Sequence, residues 1–507
     1  MESKMYVGDY IGRRALYSGD DLALVDLGDN GRKYTFNQLN DRANRSGHWL
    51  GKIGLEKGDR AGILAMDGIH HYDLFYACGK TGCVSTPYNW RLHPKEVLYQ
   101  VQVSKPKVFI HSDEGELSEI VSFIKTKAPH VTFIQSDELE EELATSSSAP
   151  ITCESLIETD TLCLLFTGGT TGLPKAAQIS HRQVVWNIFN TEFADVKGTD
   201  SFLNVFPMFH TGGLFVFATP IQIMGGTIYQ TKGVDPDQLL TVIQEEKLSL
   251  FAAVPSVFQM MTQSPNWAEA DLSSLRYCIS GGAPMPVPLM KKYQQEKNVV
   301  FRQGFGLTEF GPADFILSAE DSERKAGSIG KPNFFVDAKV VDPETNETKS
   351  PDEIGELCLR GPMATTGYFE NPEATAALFD DENYLHTGDM AKVDDEGYFY
   401  IVDRLKDMFL SGGENVFPAE IEKVLYENSD VEMCAVVGIP NEKWGEVGCA
   451  FIVKNIEANP TEKEIIDYLK NNLAKYKVPQ EVRFIEEMPL SGPGKILKTE
   501  LRKMVVS

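Results

Sequence analysis

Short apolar runs of strand length alternate with stretches of helical pattern over most of this chain. That alternation confines it to an α/β architecture. RAGILAM and PKVFIHS read as buried strands. With 507 residues, 42% of them hydrophobic, the chain has ample material for a core but is too long for one ordinary domain. A β-type run, Tyr398 to Val402, stops at the charged DRLKD, and a glycine pair then precedes a new helical pattern. We therefore expect a large N-terminal portion over 1–402 and a small C-terminal α+β domain over 407–507, within the usual domain size and joined by a very short linker, 403–406. In that small domain VEMCAVVGI and CAFIVK read as strands. A helix follows, opened by a Thr461/Glu464 capping box and lined on one face by Ile465, Leu469, Leu473 and Tyr476. DELEEELATSSSAP (Asp137 to Pro150) reads as a solvated connection.

The net charge of −25 argues against a general binder of nucleic acid or anionic membrane. Any polyanionic ligand must then meet locally concentrated cations. The eight cysteines show no CxxC pair and no Cys/His cluster at zinc spacing, which fits reduced thiols buried as small hydrophobes. The N-terminal text has no apolar signal region, no stretch reaches membrane-spanning length, and LRKMVVS carries no lipidation or retention signal. The expectation is a cytoplasmic protein.

FTGGTTGLPKAAQISH, starting at Phe166, is dense in glycine and hydroxyls and holds one lysine, Lys175. Gly168, Gly169 and Gly172 let backbone amides converge on an anion with no Cβ in the way. Thr167, Thr170, Thr171 and, further on, Ser180 add hydroxyls. A Walker A loop needs Gly before the lysine and Ser or Thr after it. Here Pro174 removes an amide and Ala176 cannot reach a metal, so the loop binds phosphate in some other way than a P-loop. A plain glycine-rich hairpin is the blander reading of the same residues.

The stretch resembles the phosphate loop of the adenylate-forming superfamily, which holds acyl-CoA synthetases, luciferases and the adenylation domains of peptide synthetases. Gly169 stands where that loop usually has Ser, and Ala176 where it commonly has Gly; both keep it permissive. Further motifs follow in order. FPMFHTGGL resembles the segment bordering the substrate carboxylate, with His210; alone, such a histidine would be read as a packed core residue. ISGGAP is similar to the adenine-binding turn, with Gly281, Gly282 and Ala283. In RQGFGLTE the resemblance lays Gln303 and Gly304 along AMP, makes Thr308 a donor to the α-phosphate and Glu309 the Mg²⁺ ligand. A hard carboxylate suits that ion. YLHTGD puts Asp389 on the ribose hydroxyls, Arg404 contacts ribose or phosphate, and Lys406 takes the hinge position. SGGEN lines the pantetheine arm of CoA with Gly412 and Gly413, and PLSGPGKILKTELR supplies the mobile catalytic Lys495. RLKDMFLSGGENVFPAEIE, EKWGEVG and RKAGSIGKP have the flavour of the acyl-CoA synthetase branch.

The implied activity is a two-step ligation that uses ATP and Mg²⁺, with CoA as co-substrate. A carboxylate attacks the α-phosphate, pyrophosphate leaves, and the CoA thiol then displaces AMP. No covalent enzyme intermediate is required, so no Ser-His-Asp pattern is needed. Lys470, Lys475 and Lys477 are candidate cations for the phosphates of CoA, a solvated helix end being the blander reading. The apolar GGLFVFATPIQIMGG, Gly212 to Gly226, reads as a buried core element at the start of the acyl pocket. It favours a medium- or long-chain fatty acid, and so a place in lipid metabolism, over a benzoate or coumarate type of aryl acid. A luciferase-like oxygenase, a carrier-loading adenylation domain and a non-catalytic nucleotide binder are the more remote alternatives; the last would have lost Lys495 or Glu309. Partners are small molecules, with no nucleic acid and no transmembrane segment; a homodimer is compatible with the sequence.

Overall fold

The computed structural model describes residues 7–115, 117–167, 173–193, 195–283, 285–405, 407–411, 414–441, 443–456, 458–490 and 496–506. Contacts divide the chain into two compact units, Met1–Asp337 with Leu359–Leu385, and Ala338–Cys358 with His386–Ser507.

The first unit is built on two sheets. One runs in the order Thr132–Gln135, Val108–His111, Arg60–Leu64, Val84–Pro87, Thr161–Thr167, Lys175–Ser180, parallel except for the last pair. RAGILAM and PKVFIHS supply two adjacent strands of this sheet, as their unbroken apolar character predicts. The other sheet has nine strands. Its parallel centre runs Phe301–Leu307, Tyr277–Ser280, Leu250–Ala253, Ser201–Asn204, Thr227–Gln230, Leu22–Asp26, with antiparallel strands at both margins. Helix Ile69–Thr81 is buried almost throughout. Tyr72 and Tyr76 keep their hydroxyls satisfied there through Gln230 (2.9 Å) and Gln222 (2.7 Å). Burying a ring of the size of Phe75 beside them stabilises the fold by ~1.5–3 kcal/mol.

The acidic stretch expected to be a loop is helical over Ser136–Thr145. Leu139 and Leu143, four apart, are buried, and Arg42 bonds Glu140 from a neighbouring helix. One apolar face and ion pairs such as Arg42–Glu140 and Lys52–Glu142 outweigh the polar composition. Gly212 to Gly226 is core, as expected: a π-helical turn, Gly212–Val216, leads into helix Ala218–Met224.

In the second unit, Asp337–Val341, Gly355–Arg360, Leu385–Val393 and Phe399–Arg404 form a four-stranded sheet in that order. VEMCAVVGI and CAFIVK pair antiparallel as Val431–Asn441 and Gly445–Lys454 within a five-stranded sheet. The Thr461/Glu464 capping box opens helix Glu462–Asn472, and Ile465 and Leu469 are buried on its inner face. That face ends sooner than the pattern suggested. Leu473 is already extended at the C-cap, and Tyr476 lies exposed in a separate turn, because KNNL breaks the helix before its next turn. Among the described residues no helix is long and apolar enough to cross a membrane.

Candidate active site

The glycine-rich loop joins two antiparallel strands, with Thr167 opposite Lys175. No helix starts at its end, which rules out the strand-to-helix turn of a Walker A motif. Gly168, Gly169, Thr170, Thr171 and Gly172 lie outside the described residues. Ser180, counted above among the hydroxyls, is fully buried and accepts the Gln183 amide at 3.2 Å; it caps the helix His181–Phe193.

Beside this hairpin, Gly367 to Phe369 runs along strand Lys175–Ser180. The Gln178 amide donates to the Gly367 carbonyl (3.0 Å) and the Phe369 amide to that of Ala176 (2.8 Å). Gly367 has φ +126°, and a Cβ there would meet Thr375 at 2.3 Å, so only glycine turns the chain here. The turn delivers Tyr368, whose phenol donates to Glu309 Oε1 at 2.9 Å and whose ring lies 5.0 Å from the Lys175 ammonium. Burial, helped by the Glu309 carboxylate, holds that phenol well above its ordinary pKa, so it stays a donor. Sequence reasoning missed Tyr368; its only signal was the Gly-Tyr pair after a threonine run.

Thr308 and Glu309 occupy the short turn Thr308–Phe310 between strands Phe301–Leu307 and Gly311–Leu317. Backbone staples fix the turn. Gln183 Nε2 donates to the Thr308 carbonyl (2.8 Å), and the Thr365 amide donates to that of Glu309 (2.7 Å). Beneath it, Asp314 is fully buried and accepts the Leu307 amide at 3.0 Å, and burial pushes its carboxyl well up. Gly306 has no room for a side chain, since a Cβ would sit 2.0 Å from the Pro312 carbonyl oxygen.

The adenine-type turn follows strand Tyr277–Ser280. Gly282 has φ +78°, and the Gly281 Cα presents open space, its nearest neighbour being the Gly304 carbonyl oxygen at 3.6 Å from a built Cβ. Gln303 braces the turn by accepting the Met285 amide (3.2 Å) and donating to the Ala283 carbonyl (3.3 Å). These residues therefore form one group, Gly281 to Ala283 with Gln303 and Gly304. His210 sits on a different turn, its ring 4.8 Å from that of Phe209 and its amide on the Pro207 carbonyl (3.0 Å). Next to it the Met208 amide donates to Asp67 (2.9 Å), a fully buried carboxyl that burial pushes up to about 7.

In the second unit, Asp389 and Arg404 face each other across two strands, Nε to Oδ1 at 3.2 Å, with Asp389 almost fully buried. The Asp389 amide donates to Thr387 Oγ1 (3.0 Å), and that hydroxyl donates to the Leu357 carbonyl (2.7 Å). Asp403 accepts the Ala419 amide at 2.9 Å at the start of helix Pro418–Tyr426. Burial pushes its carboxyl up to about 6, against the pull of Lys498, which itself bonds Glu422 at 2.8 Å. Lys406, Gly412, Gly413 and Lys495 lie outside the described residues. Of the lysines considered for CoA, Lys470 pairs with Asp467 at 3.1 Å and Lys477 with Glu420.

The first unit thus presents a carboxylate held by a phenol, a lysine over the same ring and a glycine slot, the second presents a paired Asp/Arg, and known proteins carry the same text. The AMP-binding enzyme family model matches residues 12–369, and that of the AMP-binding enzyme C-terminal domain matches 420–495. Feruloyl-CoA synthase of an Amycolatopsis species is 37% identical over 475 residues, 93% of this chain and 94% of that protein. Long-chain-fatty-acid–CoA ligase FadD13 of Mycobacterium tuberculosis is 36% identical over 510 residues, 98% of each. Among solved structures, ATP-bound MatB from Rhodopseudomonas palustris superposes with a TM-score of 0.89 at 28% identity, covering 98% of this chain and 99% of that one. With both domain models matched in order and relatives similar along nearly their whole length, the chain belongs to the adenylate-forming AMP-binding enzymes, in their acyl-CoA synthetase branch.

Proposed function

We propose that this enzyme joins an apolar carboxylic acid, a medium- or long-chain fatty acid, to CoA through an acyl-adenylate, in the cytoplasm. The observation that carries the chemistry is the Glu309–Tyr368–Lys175 group, an anion, a neutral donor and a cation within one contact chain. The carboxylate substrate must approach an already negative α-phosphate, so catalysis here is charge neutralisation and alignment. Glu309 offers the hard oxygen that suits Mg²⁺, and when bound the ion neutralises phosphate charge. Thr308 donates to the α-phosphate, Lys175 with the hydroxyls of its loop meets the departing pyrophosphate, and Lys495 is brought to the reacting carboxylate. Gly281, Gly282, Ala283, Gln303 and Gly304 hold the purine, and His210 borders the acid. Asp389 accepts the ribose hydroxyls with Arg404 beside it.

For the second step Lys495 withdraws and the pantetheine arm of CoA enters past Gly412 and Gly413. We assign the pivot to 403–406, between an adenylation portion at 1–402 and the mobile domain at 407–507. Similarity to FadD13 over 98% of both chains supports the aliphatic acid. A second reading, an aryl acid, is favoured by the equal similarity to a feruloyl-CoA synthase. Pyrophosphate release across a panel of aliphatic and aryl acids, with and without CoA, tests both. Turnover with fatty acids of at least medium length, and thioester formed only with CoA, is expected; turnover confined to hydroxycinnamates transfers the assignment to the second reading. Light emission, or transfer to a carrier protein alone, overturns it.

A further inference from the structure

Cys358 and His386 are 28 residues apart, with no metal-binding spacing in the sequence, yet the fold brings them together. Glu356 and Cys358 point to the same side of strand Gly355–Arg360 because they are two residues apart. His386 comes from the neighbouring strand, Leu385–Val393. Its Nδ1 lies 3.5 Å from Cys358 Sγ and 2.8 Å from Glu356 Oε2, and one ligand atom from each residue falls within 4.8 Å of the others. Cys358 is fully buried, Glu356 nearly so, and the imidazole is about one quarter exposed, leaving one side open.

We propose that Glu356, Cys358 and His386 bind a soft divalent cation of the zinc class. Thiolate, imidazole and carboxylate are the three ligand types such an ion takes in tetrahedral sites. Bond lengths of ~2.3 Å to sulfur and ~2.0–2.1 Å to nitrogen set those two donors ~3.5 Å apart across a tetrahedral angle. The observed Cys358–His386 separation already meets that figure. The Glu356–His386 contact must open by roughly half an ångström. A second group, His70, Asp73 and Glu140, has comparable spacing but already holds a cation. Arg42 lies 2.6 Å from Asp73 and 2.5 Å from Glu140 and fills the place an ion would take. Among the described residues neither lysine nor arginine pairs with Glu356, whose ion-pair partner is His386. Binding takes the Cys358 thiolate and a proton-free Nδ1 on His386, so the thiol proton leaves to solvent.

The site reaches the nucleotide through Glu356. Its Oε1 accepts the Gly388 amide at 2.9 Å, next to Asp389, and Gly388 has φ +72°. A cation drawing on that carboxylate competes with the bond that sets the turn presenting Asp389. Metal and AMP therefore weaken each other, to the same factor in both directions; this coupling rests on the reading of Asp389 as the ribose acceptor.

The test is Co²⁺ titrated into the full-length protein, kept reduced by a phosphine and followed by its thiolate-to-cobalt charge-transfer absorption. One equivalent should generate that band; Cys358→Ser should abolish it, and His386→Gln should lower the affinity at least tenfold. His386 is partly exposed, so His386→Gln serves if the buried serine variant does not fold. Absence of the band, or a band that survives both substitutions, overturns the proposal and leaves these residues as a hydrogen-bonded clamp only. Saturating AMP should weaken Co²⁺ binding several-fold, and an unchanged affinity overturns the coupling. Calorimetry of AMP binding to the metal-free protein separates that outcome from failure of the ribose reading, since in the latter case Asp389→Ala leaves AMP affinity intact.

Discussion

The two units place their functional residues by opposite means. In the first, the Thr308–Phe310 turn and the Gly281–Ala283 turn are held by neutral hydrogen bonds from Gln183, Thr365 and Gln303. The charged side chains that meet there are Glu309 and Lys175, with the Tyr368 phenol and ring between them; the buried carboxyls of Asp314 and Asp67 accept backbone amides nearby. In the second, largely buried carboxyl groups do the positioning: Asp389 beside Arg404, Glu356 beside His386, and Asp403 near Lys498. A neutral frame keeps its geometry across pH and salt, whereas a frame of buried ions changes when one of them titrates. The first unit is thus suited to hold a nucleotide steadily, and the second to respond to conditions.

The largest expected effect comes from Lys495, the cation proposed for the reacting centre. Lys495→Ala should slow acyl-adenylate formation by ~10³-fold, while CoA thioesterification of supplied acyl-AMP stays within a few-fold. Equal loss of both half-reactions would end the division of labour between the units. Glu309→Gln should lower kcat/KM for ATP by about 10²-fold and raise the Mg²⁺ concentration needed for half-maximal rate. An unshifted Mg²⁺ requirement removes Glu309 from the metal role.

Third comes Asp403. Its carboxyl is raised from 3.8 to about 6 in the folded chain, so the native state holds a proton that the unfolded one loses. The stability it confers is complete below pH 4 and is lost as the pH rises to about 6. Asp403→Asn should flatten that slope, a difference of about 1–2 kcal/mol, in denaturant melts run between those limits. A slope unchanged by the substitution would remove Asp403 as a source of pH response in the second unit. The smallest effect is expected from Tyr368→Phe, a ~3–10-fold rise in KM for ATP with little change in fold stability. A rate loss as large as that of Glu309→Gln would instead make the phenol part of the reacting centre.

Local signals were the legible ones. The Thr461/Glu464 capping box needed only four residues of text, and RAGILAM and PKVFIHS each carry an apolar strand centre. Glycines marked turns that need φ above zero or close approach, as at Gly282. Unread residues acquire meaning only from partners far along the chain. Tyr368 reaches Glu309 across 59 residues, and Cys358 meets His386 across 28. Composition misled at Ser136–Thr145, where two leucines four apart outweighed seven acidic or hydroxyl neighbours counted loosely as loop formers.

The hairpin around Lys175 has one more implication. In the role proposed for Lys175, β-strands on both flanks offer the pyrophosphate end of the nucleotide no α-helical macrodipole of the kind a P-loop supplies permanently. On that proposal the hold rests on the Lys175 ammonium rather than on a fixed dipole, an attachment that lets go as readily as it forms. A catalyst that must shed pyrophosphate before CoA can react is served by a grip of that kind, and raised ionic strength should hasten the shedding.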